Sequence, residues 1–334
     1  MEKKRVTIIG FIAVIVFYFI FIVVSDLGQF VNQLNLLRLE FIPIILTLHF
    51  IVIFFRIIRQ KILFESINVK MSFKEQILIH ISGLSLIMTP GGLGQSIKAY
   101  YVKKKNNTGY GKTIALTLVE RFYDLLTVIP IILIASIFVN SMEGIISSIL
   151  VTILLVSMLM IVRNQKTFHF FISKLPKIWI LGSIKENAND LFDITNNLTK
   201  SKPFFLSFVT GVCSWTIAAI AFYYSFVAFN LNFTIFETTV ISLVPIVIGT
   251  LSFLPGGIIT TEVTMFGFLT KYGLENSMSS AIVVFVRITS IWFLTILGII
   301  ATKYALTKNT TQAGPLNRAP KDRRERRGRH RDFG

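Results

Sequence analysis

The sequence predicts an all-α polytopic membrane protein built from an inverted repeat. Three observations predict it. Of 334 residues, 53% are hydrophobic and only 15% are charged, against about 25% in an ordinary soluble chain. Six apolar runs are long enough to cross a bilayer, which takes roughly 20 helical residues. Two further apolar stretches are interrupted by the same tripeptide, Pro-Gly-Gly. A mean hydropathy of +0.68, with 31 Phe against nine Pro, argues the same way. A soluble enzyme, a disordered chain and a disulfide scaffold are poor fits. Lone Cys213 has no partner for a disulfide or a cysteine-based metal site.

The first run, Ile8–Val24, follows Lys3-Lys4-Arg5 and lacks a small-x-small cleavage site. It reads as an anchor, not a signal peptide. The other runs are Phe41–Ile58, Thr113–Val139, Ile145–Val162, Phe204–Phe229 and Ala281–Tyr304. One interrupted stretch is Gln76–Tyr101, around Pro90-Gly91-Gly92-Leu93-Gly94; the other is Thr238–Leu269, around Pro255-Gly256-Gly257. Proline and two glycines oppose a continuous helix. Each stretch reads as a re-entrant hairpin or a broken helix, tolerated at membrane depth where it lines a cavity.

Positive charge crowds cytoplasmic loops. The Arg56–Lys74 loop, the loop carrying Lys98, Lys103, Lys104, Lys105 and Lys112, and the Arg163–Pro203 linker are basic; Asn140–Gly144 and Asn230–Glu237 hold no Lys or Arg. This predicts six spans, two re-entrant hairpins and both termini in the cytoplasm. The linker carries Ile184, Ala188, Leu191, Phe192, Thr195 and Leu198 on one helical face. That helix either lies on the membrane surface or packs on the bundle. Residues 1–313 thus form one membrane domain, with halves at about 1–162 and 204–305 joined by the 163–203 linker. The net charge is +17, of which the Arg-rich 314–334 tail carries +5. That tail reads as disordered or artificially appended, and no nucleic-acid partner is expected.

The interrupted stretches match each other in order. Pro90-Gly91-Gly92 precedes Arg121 by about the interval at which Pro255-Gly256-Gly257 precedes Arg287, and Ser96 matches Thr261. The predicted topology places the hairpins on opposite sides. Inverted repeats with Gly/Pro-interrupted segments are a transporter pattern, with the site at the repeat interface. Two unrelated kinks in a structural bundle are the plain alternative. Half-helices starting after Gly94 or Gly257 would present free N–H groups to an anion, with Gly91, Gly92, Gly94, Gly256 and Gly257 allowing close approach. Ser96, Thr260 and Thr261 would add hydroxyls.

Charge inside apolar runs costs roughly 2.5–3.5 kcal/mol per residue on insertion scales. Glu120, Arg121 and Asp124 sit on one such run, Arg287 on another, and Glu262 follows the second Pro-Gly-Gly. Arg121 and Arg287 are candidates to hold a phosphate; Glu120, Asp124 and Glu262 either tune them or exchange protons, or simply neutralise them. His49 and His80 read as satisfied core histidines. Tyr100, Tyr101, Trp179 and Tyr272 fit interfacial anchors. No metal spacing, nucleophile–base pair, Walker loop or dinucleotide fingerprint is present, so no cofactor is expected and movement of a substrate would be passive or ion-coupled.

The run Thr89-Pro90-Gly91-Gly92-Leu93-Gly94-Gln95-Ser96-Ile97-Lys98-Ala99-Tyr100, with Val119-Glu120-Arg121-Phe122-Tyr123-Asp124 and then Leu254-Pro255-Gly256-Gly257, Glu262 and Arg287, resembles the lysylphosphatidylglycerol synthase transmembrane-region family. That family includes the flippase half of the multiple peptide resistance factor. The resemblance covers about residues 5 to 305. It implies a flippase-like fold in the cell membrane for lipids with charged headgroups: an anionic or aminoacylated phospholipid, or a polyprenyl-phosphate carrier. It does not imply lysyl transfer, which in the synthases belongs to a soluble domain that this chain lacks. Two departures stand out: Gln95 where the family usually has Glu, and Ile259 where it often has Gly. The alternative function is a membrane scaffold for a lipid-modifying enzyme or glycosyltransferase, engaged through the linker. Direct chemistry on a lipid by Glu120, Asp124 and Glu262 is a third, with no nucleophile or metal to accompany it.

Overall fold

The computed structural model describes residues 27–89, 95, 97–106, 108–174, 188–198 and 201–312. Outside them lie the Ile8–Val24 run, Trp179, the 314–334 tail, and Pro90, Gly91, Gly92, Leu93, Gly94 and Ser96 of the first Pro-Gly-Gly element.

The described residues form helices and connecting turns. In chain order they are α1 (Leu27–Asn35), α2 (Phe41–Ser66), α3 (Phe73–Leu84), α4 (Lys98–Asn106), α5 (Tyr110–Phe138), α6 (Met142–Arg163) and α7 (Gln165–Lys174). There follow α8 (Ala188–Leu198), α9 (Ser201–Val227), α10 (Ile235–Leu251), α11 (Thr260–Lys271), α12 (Asn276–Arg287), a π-helical turn (Ile288–Trp292) and α13 (Phe293–Gln312). Five segments are long and apolar enough to cross a membrane: Phe41–Ser66, Gly111–Phe138, Met142–Ile161, Lys202–Val227 and Asn276–Ala305. They fall on the five described runs of the sequence. The chain is an integral membrane protein. Helix α6 turns Ile146, Ile149, Leu150, Ile153 and Met160 outward, which hydrocarbon tolerates and water would not.

Both interrupted stretches begin with the same local device. Glu75 N–H donates to Ser72 Oγ and Ser72 N–H donates to the Glu75 carboxylate, so a capping box starts α3. Thr234 and Glu237 repeat it at the start of α10. Each box satisfies helix N–H groups that would otherwise lack a partner. Both helices then stop short of Pro-Gly-Gly, α3 at Leu84 and α10 at Leu251.

Packing is reciprocal. Helix α3 packs on α13, and α10 packs on α5, while α2 lies along α9. Each helix that leads into a break therefore rests on the arginine-bearing segment of the opposite half. The main core runs through Val128 and Ile132 of α5, Phe222 and Phe226 of α9, Val240 and Val244 of α10, and Val283 of α12. A second core, around Leu63, Leu116 and Tyr123, takes in Ala188 and Ile194 of α8. The linker helix thus packs on the bundle. Phe192 meets Phe168 at 5.6 Å between ring centroids, and Ile194, off the predicted face, is buried in this core as well.

Three bases assigned above to cytoplasmic loops lie elsewhere. Helix α2 runs on to Ser66, so Arg56 and Arg59 are helical; Arg59 is 3% exposed. Lys98 opens α4 and is fully buried. Tyr101, expected at an interface, is buried as well.

The α3–α13 contact depends on Gly298, where an added Cβ would sit 2.1 Å from the Ser85 backbone nitrogen. Thr302 Oγ1 donates to Ser82 O alongside it. Gly298→Ala is expected to destabilise the protein by about 1–3 kcal/mol through overpacking. Gly267→Ala, with nothing within 4 Å of the new carbon, is the control. Thermal unfolding in detergent reads both, and equal midpoints would remove the close contact.

Candidate functional site

The break between α10 and α11 is built from unusual backbone. Phe253, Gly256, Gly257 and Ile259 have φ of 55°, 62°, 65° and 77°. Glycine takes positive φ without steric cost; phenylalanine and isoleucine do not. Helix α11 then starts tight against α10. A Cβ on Gly249 would fall 2.0 Å from Thr261 Oγ1 and 3.3 Å from Gly257 Cα.

A cavity of about 160 Å³ opens beside this break. Arg56 of α2, Arg121 and Asp124 of α5, Trp215 of α9, and Arg287 at the end of α12 reach it. Gly256, Gly257 and Thr261 form part of its wall, and Phe222, Ile291 and Leu294 give it an apolar side. The sequence-predicted residues Arg121, Arg287, Asp124, Gly256, Gly257 and Thr261 therefore come together, from both halves of the chain. Thr260 does not join them; its hydroxyl pairs with Ser252 Oγ at 2.9 Å. Gly91, Gly92, Gly94 and Ser96 lie outside the described residues.

The charges pair in three sets. Asp124 accepts from Arg59 at 2.5 Å and from Arg121 at 3.1 Å. Arg121 Nη2 also donates to Gln95 Oε1 at 2.9 Å, and its Nε is buried without a partner among the described residues. Glu262, fully buried, accepts from Arg287 Nε at 2.8 Å, while Arg287 Nη2 donates to Gly256 O at 2.7 Å. That last bond ties the guanidinium to the break itself. Glu120 pairs with Lys98 at 2.7 Å, both buried, and neither lines the cavity. Glu120 and Asp124, one helical turn apart, thus serve different partners, and Glu120 neutralises a lysine instead of an arginine.

Sequence reasoning missed Arg56, Arg59 and Lys98. Arg56 is half-buried; its Nε donates to Ser214 Oγ at 3.3 Å and its guanidinium lies 5.2 Å from the Trp215 ring centroid. Both histidines are core residues on one nitrogen: His49 Nδ1 bonds Ile45 O and His80 Nδ1 bonds Gln60 Oε1. His49 also reaches the cavity.

The profile of the family described as the lysylphosphatidylglycerol synthase TM region matches residues 8–298. The chain belongs to this family. Among its relatives are a UPF0104 membrane protein of Methanothermobacter thermautotrophicus, 28% identical over 62% of this chain, and a UPF0104 membrane protein of Pyrococcus horikoshii, 22% identical over 78%. The chain spans 66% of the first relative's length and 85% of the second's. The backbone gives residue 259 a physical meaning: φ of 77° is a conformation suited to glycine, and an isoleucine holds it here.

Three substitutions have expected outcomes from this geometry. Arg287→Ala takes the guanidinium from a fully buried carboxylate and is expected to cost about 3–5 kcal/mol. Arg121→Ala leaves Asp124 paired to Arg59 and is expected to cost about 1 kcal/mol. Thermal unfolding of the two variants that reversed this ranking would reject the pairing. Ile259→Gly relieves positive φ at a side chain 46% exposed and is expected to stabilise by about 1 kcal/mol, read in the same assay; a lowered midpoint would mean that isoleucine is favoured there.

Proposed function

We propose that this protein binds or translocates a lipid with a charged headgroup, as a flippase-like member of its family. The carrying observation is the cavity, where Arg121 and Arg287 meet from opposite halves of the chain beside Gly256, Gly257 and Thr261. The headgroup phosphate sits between the two guanidiniums, whose planar forks suit phosphate oxygens. The apolar wall of Phe222, Ile291 and Leu294 faces the lipid's hydrocarbon, and the acyl chains stay in the bilayer. Asp124 holds Arg121 in place without fully neutralising the site. Glu262 does the same for Arg287.

The alternating-access reading rests on an inverted repeat. It is supported by the paired capping boxes, by the reciprocal packing of α3 on α13 and α10 on α5, and by an arginine contact a few residues after each Pro-Gly-Gly. Arg121 meets Gln95 just after the first break; Arg287 meets Glu262 just after the second. In this scheme both breaks are re-entrant, both termini are cytoplasmic, and the protein resides in the cell membrane. The role is transport or lipid binding, not lysyl transfer.

Mass spectrometry of lipids that co-purify in mild detergent, set against the bulk membrane, tests the proposal. One charged lipid class is expected to be enriched in the wild-type protein and lost in Arg121→Ala, with circular dichroism unchanged. A bulk-membrane profile in both proteins would reject it.

A further inference from the structure

The pairing pattern leaves the cavity with an excess of positive charge, and this excess selects among headgroups. Arg56, Arg121 and Arg287 line the cavity, with Arg59 directly behind Asp124. The carboxylates that answer these four guanidiniums are Asp124 and Glu262. Two positive charges remain. Their origin is specific. Arg121 meets the neutral amide of Gln95 where Arg287 meets the carboxylate of Glu262. Arg56 has no carboxylate within ion-pair distance among the described residues; a serine hydroxyl and an indole face hold it instead. The hydrogen bond that Arg56 makes among the described residues is the one from its Nε to Ser214, and the Nε of Arg121 is buried there without a protein partner.

An uncompensated pair of charges at membrane depth is costly, and an occupant that carries the opposite charge relieves that cost. We infer that the cavity takes a phosphate bearing two negative charges, a monoester or diphosphate headgroup, with Arg56 as its third guanidinium. This rests on the lipid-binding reading and narrows it. An aminoacylated headgroup fits the site poorly. Its ammonium would enter a cavity whose lining carboxylate, Asp124, already holds two arginines. Arg56 brings the third contact from within the apolar run of α2, where its guanidinium lies beside the Trp215 ring and lines the cavity.

The test uses the full-length protein in mixed micelles holding equal amounts of phosphatidic acid, phosphatidylglycerol and lysyl-phosphatidylglycerol, with native mass spectrometry as readout. Inorganic phosphate is titrated in a parallel arm. Phosphatidic acid is expected to be retained over the other two by about tenfold, the scale of one desolvated charge contact. Arg56→Gln and Gln95→Glu each lower the charge excess by one from different positions, and each is expected to erase most of that preference. A preference for lysyl-phosphatidylglycerol, or retention of phosphatidic acid unchanged in both folded variants, would overturn the charge assignment and leave the lipid reading standing. Binding of inorganic phosphate that depends on Arg56, with no lipid retained, would keep the dianion site and overturn the lipid reading. No binding by any probe to folded protein would overturn both.

Discussion

Asp124 is the carboxylate on which the arrangement of the bundle turns. It holds Arg59 from α2 and Arg121 from its own helix, so it joins two spans and orients the guanidinium that faces the cavity. In hydrocarbon an unpaired charge is costly enough to dictate which way a helix faces. Helices α2, α5 and α9 are apolar over most of their surface, so burial alone says little about their rotation. Polar contacts settle it. Arg59–Asp124 sets α2 against α5, Lys98–Glu120 sets α4 against α5, and Glu262–Arg287 sets α11 against α12. Replacing such pairs by apolar residues can be neutral or stabilising. Their value here lies in orientation, and in the cavity that this orientation leaves open.

The spans were legible because a bilayer imposes a minimum length, and runs such as Phe204–Phe229 meet it without ambiguity. The second break was legible because Pro255-Gly256-Gly257 cannot continue a helix. Arg121, Asp124 and Arg287 stood out as charges within apolar runs. Arg56, Arg59 and Lys98 did not, because each lies near other bases at the edge of an apolar run, where a cytoplasmic loop explains them equally well. The signal that could have found one of them is a count. Three intramembrane carboxylates, Glu120, Asp124 and Glu262, faced two intramembrane arginines, so another cation had to turn inward. Lys98 is that cation for Glu120. The seating of Ile194 on the second core had no such signal, since it depends on the neighbouring surface of α5 and not on the periodicity of α8.

The second break and the π turn of the last span reach one target by different means. On the near side, strained backbone at Phe253 and Ile259 lets the chain turn within a few residues and bring the Gly256 carbonyl to Arg287. On the far side, the π-helical turn from Ile288 to Trp292 follows that arginine immediately. A π turn holds one residue more than an α turn and shifts every later side chain around the axis. Ser290 and Ile291 line the cavity from this turn, and Leu294 from the start of α13. Strained φ values and π turns are both recurrent features of functional sites, and here they converge on one guanidinium.

The cavity's lining is both polar and apolar, and α2 and α5 supply both kinds of surface, Val52 beside Arg56 and Val128 beside Arg121. Guanidiniums and bare backbone come from α2, α5, the break and the end of α12; Phe222, Ile291 and Leu294 come from α9, the π turn and α13. A site for a free ion would be served by a polar shell alone. A site for a lipid headgroup needs charge where the phosphate rests and apolar surface where the glycerol and first methylenes leave it. The reciprocal packing adds a constraint. Helix α3 rests on α13 and α10 rests on α5, so the helix leading into each break contacts the span of the opposite half that carries an arginine. In the alternating-access reading proposed above, these contacts are the route by which motion at one break would reach the other half's guanidinium.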